Sequence, residues 1–143
     1  MNRPASFLLD TNAVSEWVKP RPNPGVIEWM ESTDEDRIFI SVITLTELRY
    51  GIERLAQGKR RRRLEEWLHD ELPLRFEDRI LSVDVTIANV WGTTVSRSEA
   101  AGRPMNGMDA FLSATAEVHQ LTLVTRNVTD FPLLKAVVNP WAQ

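Results

Sequence analysis

The sequence predicts an α/β fold in which helices flank one mostly parallel sheet. Short apolar runs bounded by polar residues recur at residues 7–9, 37–41, 80–83, 121–125 and 136–138, and each is long enough for a buried strand. Between the first four runs, apolar residues recur at helical spacings of three and four. Strands that alternate with helices in this way are typical of parallel sheets.

The first strand and its helix meet at Asp10. Residues 7–9 are apolar and lead directly into this carboxylate, after which Val14, Trp17 and Val18 take up helical spacing. Ligands of open parallel sheets bind where a strand ends and a helix begins, so Asp10 occupies a position suited to chemistry. The structural alternative is that Asp10 only caps the helix, since Asp is a preferred N-cap residue.

A long helical segment is predicted after the second strand. It starts at Thr44, and apolar stripes cover residues 45–55 and 64–72, separated by Gly58 and a basic run. Pro73 is predicted to end the second stripe, because proline cannot continue a helix interior. Residues 43–72 therefore form either one arm or two helices hinged near Gly58.

The second half of the chain continues the alternation. Asp84 is predicted to cap the helix that follows the third strand, and a loop over 102–107 leads to a helix that starts at Met108. A turn over 127–131 separates the fourth strand from a short fifth one. We predict a single domain over residues 1–143, a length sufficient for a real core.

Composition narrows the class of protein. The chain has 43% hydrophobic residues, 26% charged residues and no cysteine, which excludes disulfides and thiolate metal sites. A net charge of -3 argues against a generic nucleic-acid binder but leaves room for a local basic patch. With neither a signal peptide nor an apolar run of membrane-spanning length, we expect a cytoplasmic protein that does not contact a membrane.

Acidic and amide side chains follow the predicted strands. Asp10 follows the first, Glu47 lies in the first turn of the next helix, and Asn127 follows the fourth, with Asp130 three residues later. These can converge, because parallel strands end at one edge of the sheet. Asp109, in the first turn of its own helix, joins them only if that helix begins beside the same edge.

Each of these residues also has a structural explanation. Glu47 can close a capping box with Thr44, Asp109 can favour the positive helix end, and Asp130 can form a turn. Gathered carboxylates, however, raise one another's pKa unless a cation lies among them. Oxygen ligands suit Mg²⁺ or Mn²⁺, and such a site would hydrolyse phosphodiesters.

Four segments, in the same order and at domain-scale spacing, resemble the PIN domain. They are residues 8–12 (LLDTN), 41–51 (SVITLTELRYG), 109–110 (DA) and 125–131 (TRNVTDF). The similarity is closest to bacterial toxins of the VapC kind, in the FitB-like subgroup, with which residues 139–141 (NPW) and 21–24 (RPNP) also agree. The resemblance covers essentially the whole chain.

The resemblance implies a Rossmann-like sheet and a Mg²⁺- or Mn²⁺-dependent endoribonuclease, the toxin of a type II toxin–antitoxin system. It implies an RNA substrate, an antitoxin partner, a homodimer that forms a heterotetramer or larger assembly with that antitoxin, and contact with DNA only through it. By motif, Asp10, Glu47 and Asp109 carry over as metal-site residues. Asp10 and Asp109 would bind directly, and Glu47 would act through water or as a base.

One position departs from the family pattern. Asn127 stands where a fourth acidic residue is often found, which favours one tightly held metal in place of two. Either the Asn127 carbonyl or Asp130, through water, would take that role. Thr11 and Thr125 are expected to support the site by holding a water or a phosphate oxygen.

Four basic residues are candidates for contact with RNA or with a protein partner. Arg49 and Arg126 lie within the motifs, and Lys59 and Arg60 begin the basic run; each could contact phosphate or only be solvated. The competing function is a catalytically weak or inactive PIN module that binds RNA or a partner. A haloacid-dehalogenase-like phosphatase is disfavoured, because its second aspartate would stand at position 12, which is Asn12.

Overall fold

The sheet is fully parallel. The computed structural model describes residues 4–141, which form five strands in the spatial order β3-β2-β1-β4-β5. The strands are β1 (Phe7–Leu9), β2 (Ile38–Ser41), β3 (Ile80–Leu81), β4 (Thr122–Val124) and β5 (Val137–Val138). All five predicted strands are confirmed, and the predicted runs exceed the observed strands by up to two residues. Residues 1–3 and 142–143, which the single-domain prediction includes, lie outside the described residues.

Helices cover both faces of the sheet. They are α1 (Thr11–Glu16), α2 (Pro24–Ser32), α3 (Val42–Glu53), α4 (Lys59–Glu66), α5 (Leu72–Phe76), α6 (Val85–Ala100) and α7 (Gly107–His119). Successive strand residues point to opposite faces, so Leu9 packs with α1 and α2 while Leu8 packs with α7. The predicted α/β fold with helices on both faces is therefore confirmed. Within residues 4–141, no helix has the length and apolar character needed to cross a membrane.

The register of the sheet places the carboxyl ends of β1, β2 and β4 at the same edge. Leu8 lies opposite both Phe39 of β2 and Leu123 of β4. The backbone N–H of Asp10 then donates to the Val124 carbonyl at 2.9 Å, extending the β1–β4 ladder by one residue. The carboxyl ends of β1, β2 and β4 thus meet at one edge, as the sequence predicts.

The start of α3 differs from the prediction. Ser41, not Thr44, is the N-cap, and its Oγ accepts from the Ile43 N–H at 3.0 Å. Because the helix begins at Val42, Glu47 lies in its second turn, and the Thr44–Glu47 capping box does not form. The Glu47 side chain is consequently not engaged at the helix end.

The helical segment breaks between α3 and α4, near Gly58, which is the two-helix alternative, but Pro73 does not end the second part. A π-helical turn at Trp67–Glu71 leads directly into α5, where Pro73 lies in the first turn. Proline is tolerated there because the N–H that it lacks would need no helical partner. The chain therefore stays helical to Phe76, four residues beyond the predicted end at residue 72.

Candidate functional site

Asp10 is both a helix cap and a buried carboxylate. Its side chain is held at both oxygens: Oδ1 accepts from the Thr11 N–H at 2.7 Å, and Oδ2 accepts from the Thr125 hydroxyl at 2.7 Å. The residue is only 6% exposed. Burial raises the pKa of Asp10, and the hydrogen bonds from Thr125 and Thr11 lower it only in part. Capping and a chemical role are therefore compatible at this position.

Thr11 connects Asp10 to Glu47. Its backbone N–H donates to Asp10 Oδ1, and its hydroxyl donates to Glu47 Oε1 at 2.6 Å. Thr44, one turn before Glu47, places its own hydroxyl 3.3 Å from that of Thr11. Glu47 thus faces the end of β1 from α3, although it is in the second helical turn and not in the first.

Asp109 joins the same site from α7. Asn106 caps this helix, accepting from the Met108 N–H at 2.8 Å, and Asp109 follows in the first turn. Burial, and after it the charges of Asp10, Asp130 and Glu47, raise the pKa of Asp109 to about 6. Asp10, Glu47 and Asp130 therefore all lie within electrostatic reach of Asp109. The condition that the sequence left open, that α7 begin beside the edge of the sheet, is met.

Asn127 and Asp130 differ in their relation to this cluster. The Asn127 side chain is exposed, and its backbone N–H donates to the Thr125 hydroxyl at 3.0 Å. Asp130 is also exposed, but its charge raises the pKa values of both Asp10 and Asp109. Of the two candidates for the fourth acidic position, Asp130 is the one that contributes negative charge to the cluster.

Sequence reasoning missed Asn12 as part of the site. Its amide nitrogen lies 3.4 Å from both Asp10 Oδ2 and Thr125 Oγ1, and its carbonyl oxygen accepts from the Arg126 N–H at 3.4 Å. Asn12 therefore joins the end of β1 to the turn after β4. The position of Asn12, two residues after Asp10, could have indicated this role. In the sequence analysis that position argues only against a phosphatase.

The donor set suits a hard divalent cation. The site offers carboxylate oxygens, which are the ligands that Mg²⁺ and Mn²⁺ prefer. It contains neither sulfur nor imidazole. Within residues 4–141, no ion pair joins a basic side chain to Asp10, Glu47 or Asp109, so nothing there neutralises the cluster. Across the same residues, no three acidic or histidine side chains are already arranged as a ligand set. Water would have to complete the coordination.

The predicted basic contacts lie around the site, and none lies within it. Arg49 pairs with Glu53 on the exposed face of α3, and Arg126 is exposed after β4. Lys59 and Arg60 are exposed at the start of α4. Arg60 also lines an apolar groove between α1, α3 and α4, whose lining includes Thr11 and Glu47.

A five-stranded parallel sheet with a carboxylate cluster at its carboxyl edge defines the class of protein. The family model described as the PIN domain matches residues 7–133, so the chain belongs to the PIN domain family.

Among its relatives is toxin FitB of Neisseria gonorrhoeae, 36% identical over 94% of this chain and 98% of that protein. Another is VapC ribonuclease Y4jK of Sinorhizobium fredii, 28% identical over 94% of this chain and 97% of that protein. The solved structure of FitAB bound to an IR36 DNA fragment superposes with a TM-score of 0.88 at 34% identity, covering 94% of this chain and 95% of that one. The predicted resemblance to VapC and FitB proteins is confirmed.

Proposed function

We propose that this protein is a Mg²⁺- or Mn²⁺-dependent endoribonuclease and the toxin of a toxin–antitoxin pair. The observation that carries the proposal is the convergence of Asp10, Glu47 and Asp109 from three separate elements, with the pKa of Asp109 raised to about 6. Uncompensated negative charge of this kind favours binding of a cation. Similarity to a protein named as a VapC ribonuclease supports RNA as the substrate.

Asp10 and Asp109 would hold the metal, and Glu47 would act on it through water or serve as the base. When bound, the ion would polarise the phosphate and ease ionisation of the attacking water. The chain's own residues orient these groups. Thr125 and the Thr11 backbone fix the Asp10 carboxylate, and the Thr11 hydroxyl fixes Glu47. Asp130 would take the fourth acidic role through water.

The partners follow from the same family membership. FitB is named a toxin, and FitAB has been solved on DNA, which supports an antitoxin partner. We expect this chain to contact DNA only through that partner. The apolar groove is the surface we assign to the antitoxin, because Leu48, Ile52 and Leu64 line it and it extends to Glu47. A partner in this groove would lie directly beside the site. We expect a homodimer, and a heterotetramer or larger assembly with the antitoxin.

The alternative is a PIN module that binds RNA or a partner without cleaving RNA. Asn127 favours it, because an amide at the fourth acidic position removes one negative charge from the potential ligands. This alternative predicts RNA binding without cleavage at any concentration of divalent metal.

Cleavage of a mixed RNA pool by the purified chain separates the two functions. We expect cleavage with Mg²⁺ or Mn²⁺, none with EDTA, and none by Asp10→Asn. Asp78→Asn is the matched control, since Asp78 is an exposed carboxylate in the turn before β3 and its loss should leave cleavage unchanged. Equal cleavage by the unmodified chain and Asp10→Asn would reject this site as the source of activity.

A further inference from the structure

A second cavity borders the carboxylate cluster at Asp109 and Asp130. It has a volume of about 640 Å³, and its lining includes Arg103, Met105, Asn106, Asp109, Asp130 and Pro132. This volume falls within the range of roughly 300–1,000 Å³ typical of pockets for small ligands. The apolar groove, by contrast, borders the cluster at Thr11 and Glu47. Asp109 and Asp130 therefore face the cavity and Glu47 faces the groove, while buried Asp10 lines neither opening.

The loop between α6 and α7 fixes the position of Arg103. Gly102 has a φ of +73°, a left-handed conformation that turns the chain at the end of α6. The Arg103 N–H then donates to the Ser98 carbonyl at 2.8 Å. The backbone of Arg103 is thus anchored to the helix, while its side chain is exposed and lines the cavity.

Arg103 carries a charge that no residue of the described part of the chain neutralises by an ion pair. It forms no ion pair with any of residues 4–141, although Asp109 and Asp130 line the same cavity. The Asp34, Glu53 and Glu35 carboxylates, by comparison, each pair with an arginine. A free guanidinium beside a site for phosphodiester chemistry is suited to bind a phosphate, which it can contact with two parallel hydrogen bonds.

The remaining lining suits a nucleotide more than a protein partner. Met105 and Pro132 provide apolar surface on which a base can pack, and Asn106 adds a polar side chain. An RNA strand approaching four carboxylates also needs a local cation, because the chain as a whole has a net charge of -3. Arg103 is the basic residue that lines this cavity.

We propose that this cavity binds the nucleotide next to the cleaved phosphodiester and that Arg103 binds a phosphate of the RNA backbone. This inference rests on the proposed ribonuclease function. It assigns RNA to the polar cavity and leaves the apolar groove to the protein partner. In this arrangement the RNA strand crosses the site along the line from Arg103 to Asp109.

The test measures RNA binding and cleavage separately. Binding is followed by fluorescence anisotropy of a short labelled single-stranded RNA of mixed sequence, in EDTA, so that it does not depend on catalysis. We expect Arg103→Ala to weaken binding about tenfold and to flatten the dependence of log affinity on log salt by about 0.7, the value for one phosphate on a single strand. In cleavage assays with metal, KM should rise while kcat stays nearly unchanged, and Arg103→Lys should recover part of the loss.

Arg97→Ala is the matched control. Arg97 is exposed in the last turn of α6 and does not line the cavity. Its substitution by Ala removes the same charge as Arg103→Ala. Its affinity and salt slope should match those of the unmodified chain. An Arg103→Ala variant that behaves like Arg97→Ala would overturn the assignment. If the unmodified chain binds RNA through Arg103 but never cleaves it, the proposed catalysis fails while the binding site stands.

Discussion

Asp10 and Asp109 belong to one site but are held in different ways. Asp10 is buried, and both of its oxygens accept hydrogen bonds from Thr11 and Thr125. Asp109 is half-buried, and repulsion by the neighbouring carboxylates adds to the burial that raises its pKa to about 6. The fold thus positions the first carboxylate with hydrogen bonds, whereas the ionised form of the second is destabilised by its surroundings.

The largest effect on RNA cleavage is expected when the charge of Asp109 is removed. Asp109→Asn should lower RNA cleavage at least about a hundredfold, because it deletes a proposed ligand of the metal that would stabilise charge in the transition state. The measurement is the initial rate at saturating Mn²⁺. Asp78→Asn should retain the full rate, and an Asp109→Asn variant that also retains it would remove this residue from the site.

The hydrogen bond that holds Asp10 gives the next effect. Thr125→Val keeps the side-chain shape but leaves Asp10 Oδ2 without its 2.7 Å donor. The free energy of unfolding in urea should fall by about 1–3 kcal/mol, the usual result of leaving a buried polar group unpaired. Thr129→Val, at an exposed position, should leave it unchanged, and equal values for both variants would show that the bond does not hold Asp10.

The raised pKa of Asp109 gives a smaller effect with a defined sign. Between its ordinary value of 3.8 and about 6, the native state binds more protons than the unfolded state. The free energy of unfolding in EDTA should therefore fall as pH rises through this window, and the penalty persists above pH 6. Asp109→Asn should reduce that slope and stabilise the protein at pH 7 by about 1 kcal/mol, a figure discounted because the group is partly exposed.

Denaturation at pH 4, 5 and 7 measures this effect. Asp10 contributes with the same sign, since its pKa is also raised, so part of the slope should remain in Asp109→Asn. An exposed control, Asp36→Asn, should keep the full slope. A steeper slope in Asp109→Asn would contradict the electrostatic account.

The smallest expected effect concerns the fourth acidic position. Asn127→Asp adds a carboxylate beside Thr125, and greater ligand charge should tighten Mn²⁺ binding a few-fold. Asp130→Asn should loosen it by a similar factor, because the charge of Asp130 acts on both Asp10 and Asp109. Calorimetric titration with Mn²⁺ compares the two variants. If only Asn127→Asp changes the affinity, Asp130 has no part in the site.

The sheet was predictable because its strands are short apolar runs between polar residues. The same pattern could not locate the start of α3, since Ser41 and Thr44 are both favoured N-cap residues and lie three positions apart. Pro73 was misjudged for a related reason. A widened turn before it converts a helix interior into the first turn of α5, and spacing alone does not reveal such a turn.

The site was predictable only in part. The edge of a parallel sheet brings Asp10 and Glu47 together from the alternation of elements alone. Asp109 could not be placed without knowing where α7 begins relative to that edge. That position depends on the loop between α6 and α7, where Gly102 turns the chain. Asn12 was missed because its contacts reach across the sequence to Thr125 and Arg126.

Thr11 makes α1 and α3 mechanically dependent on each other. The same residue supplies the backbone N–H on Asp10 and the hydroxyl on Glu47. A displacement of α3 along its axis must either break the 2.6 Å bond or drag the start of α1 with it. A partner that displaced α3 would therefore be expected to change the spacing of the Asp10 and Glu47 carboxylates through Thr11.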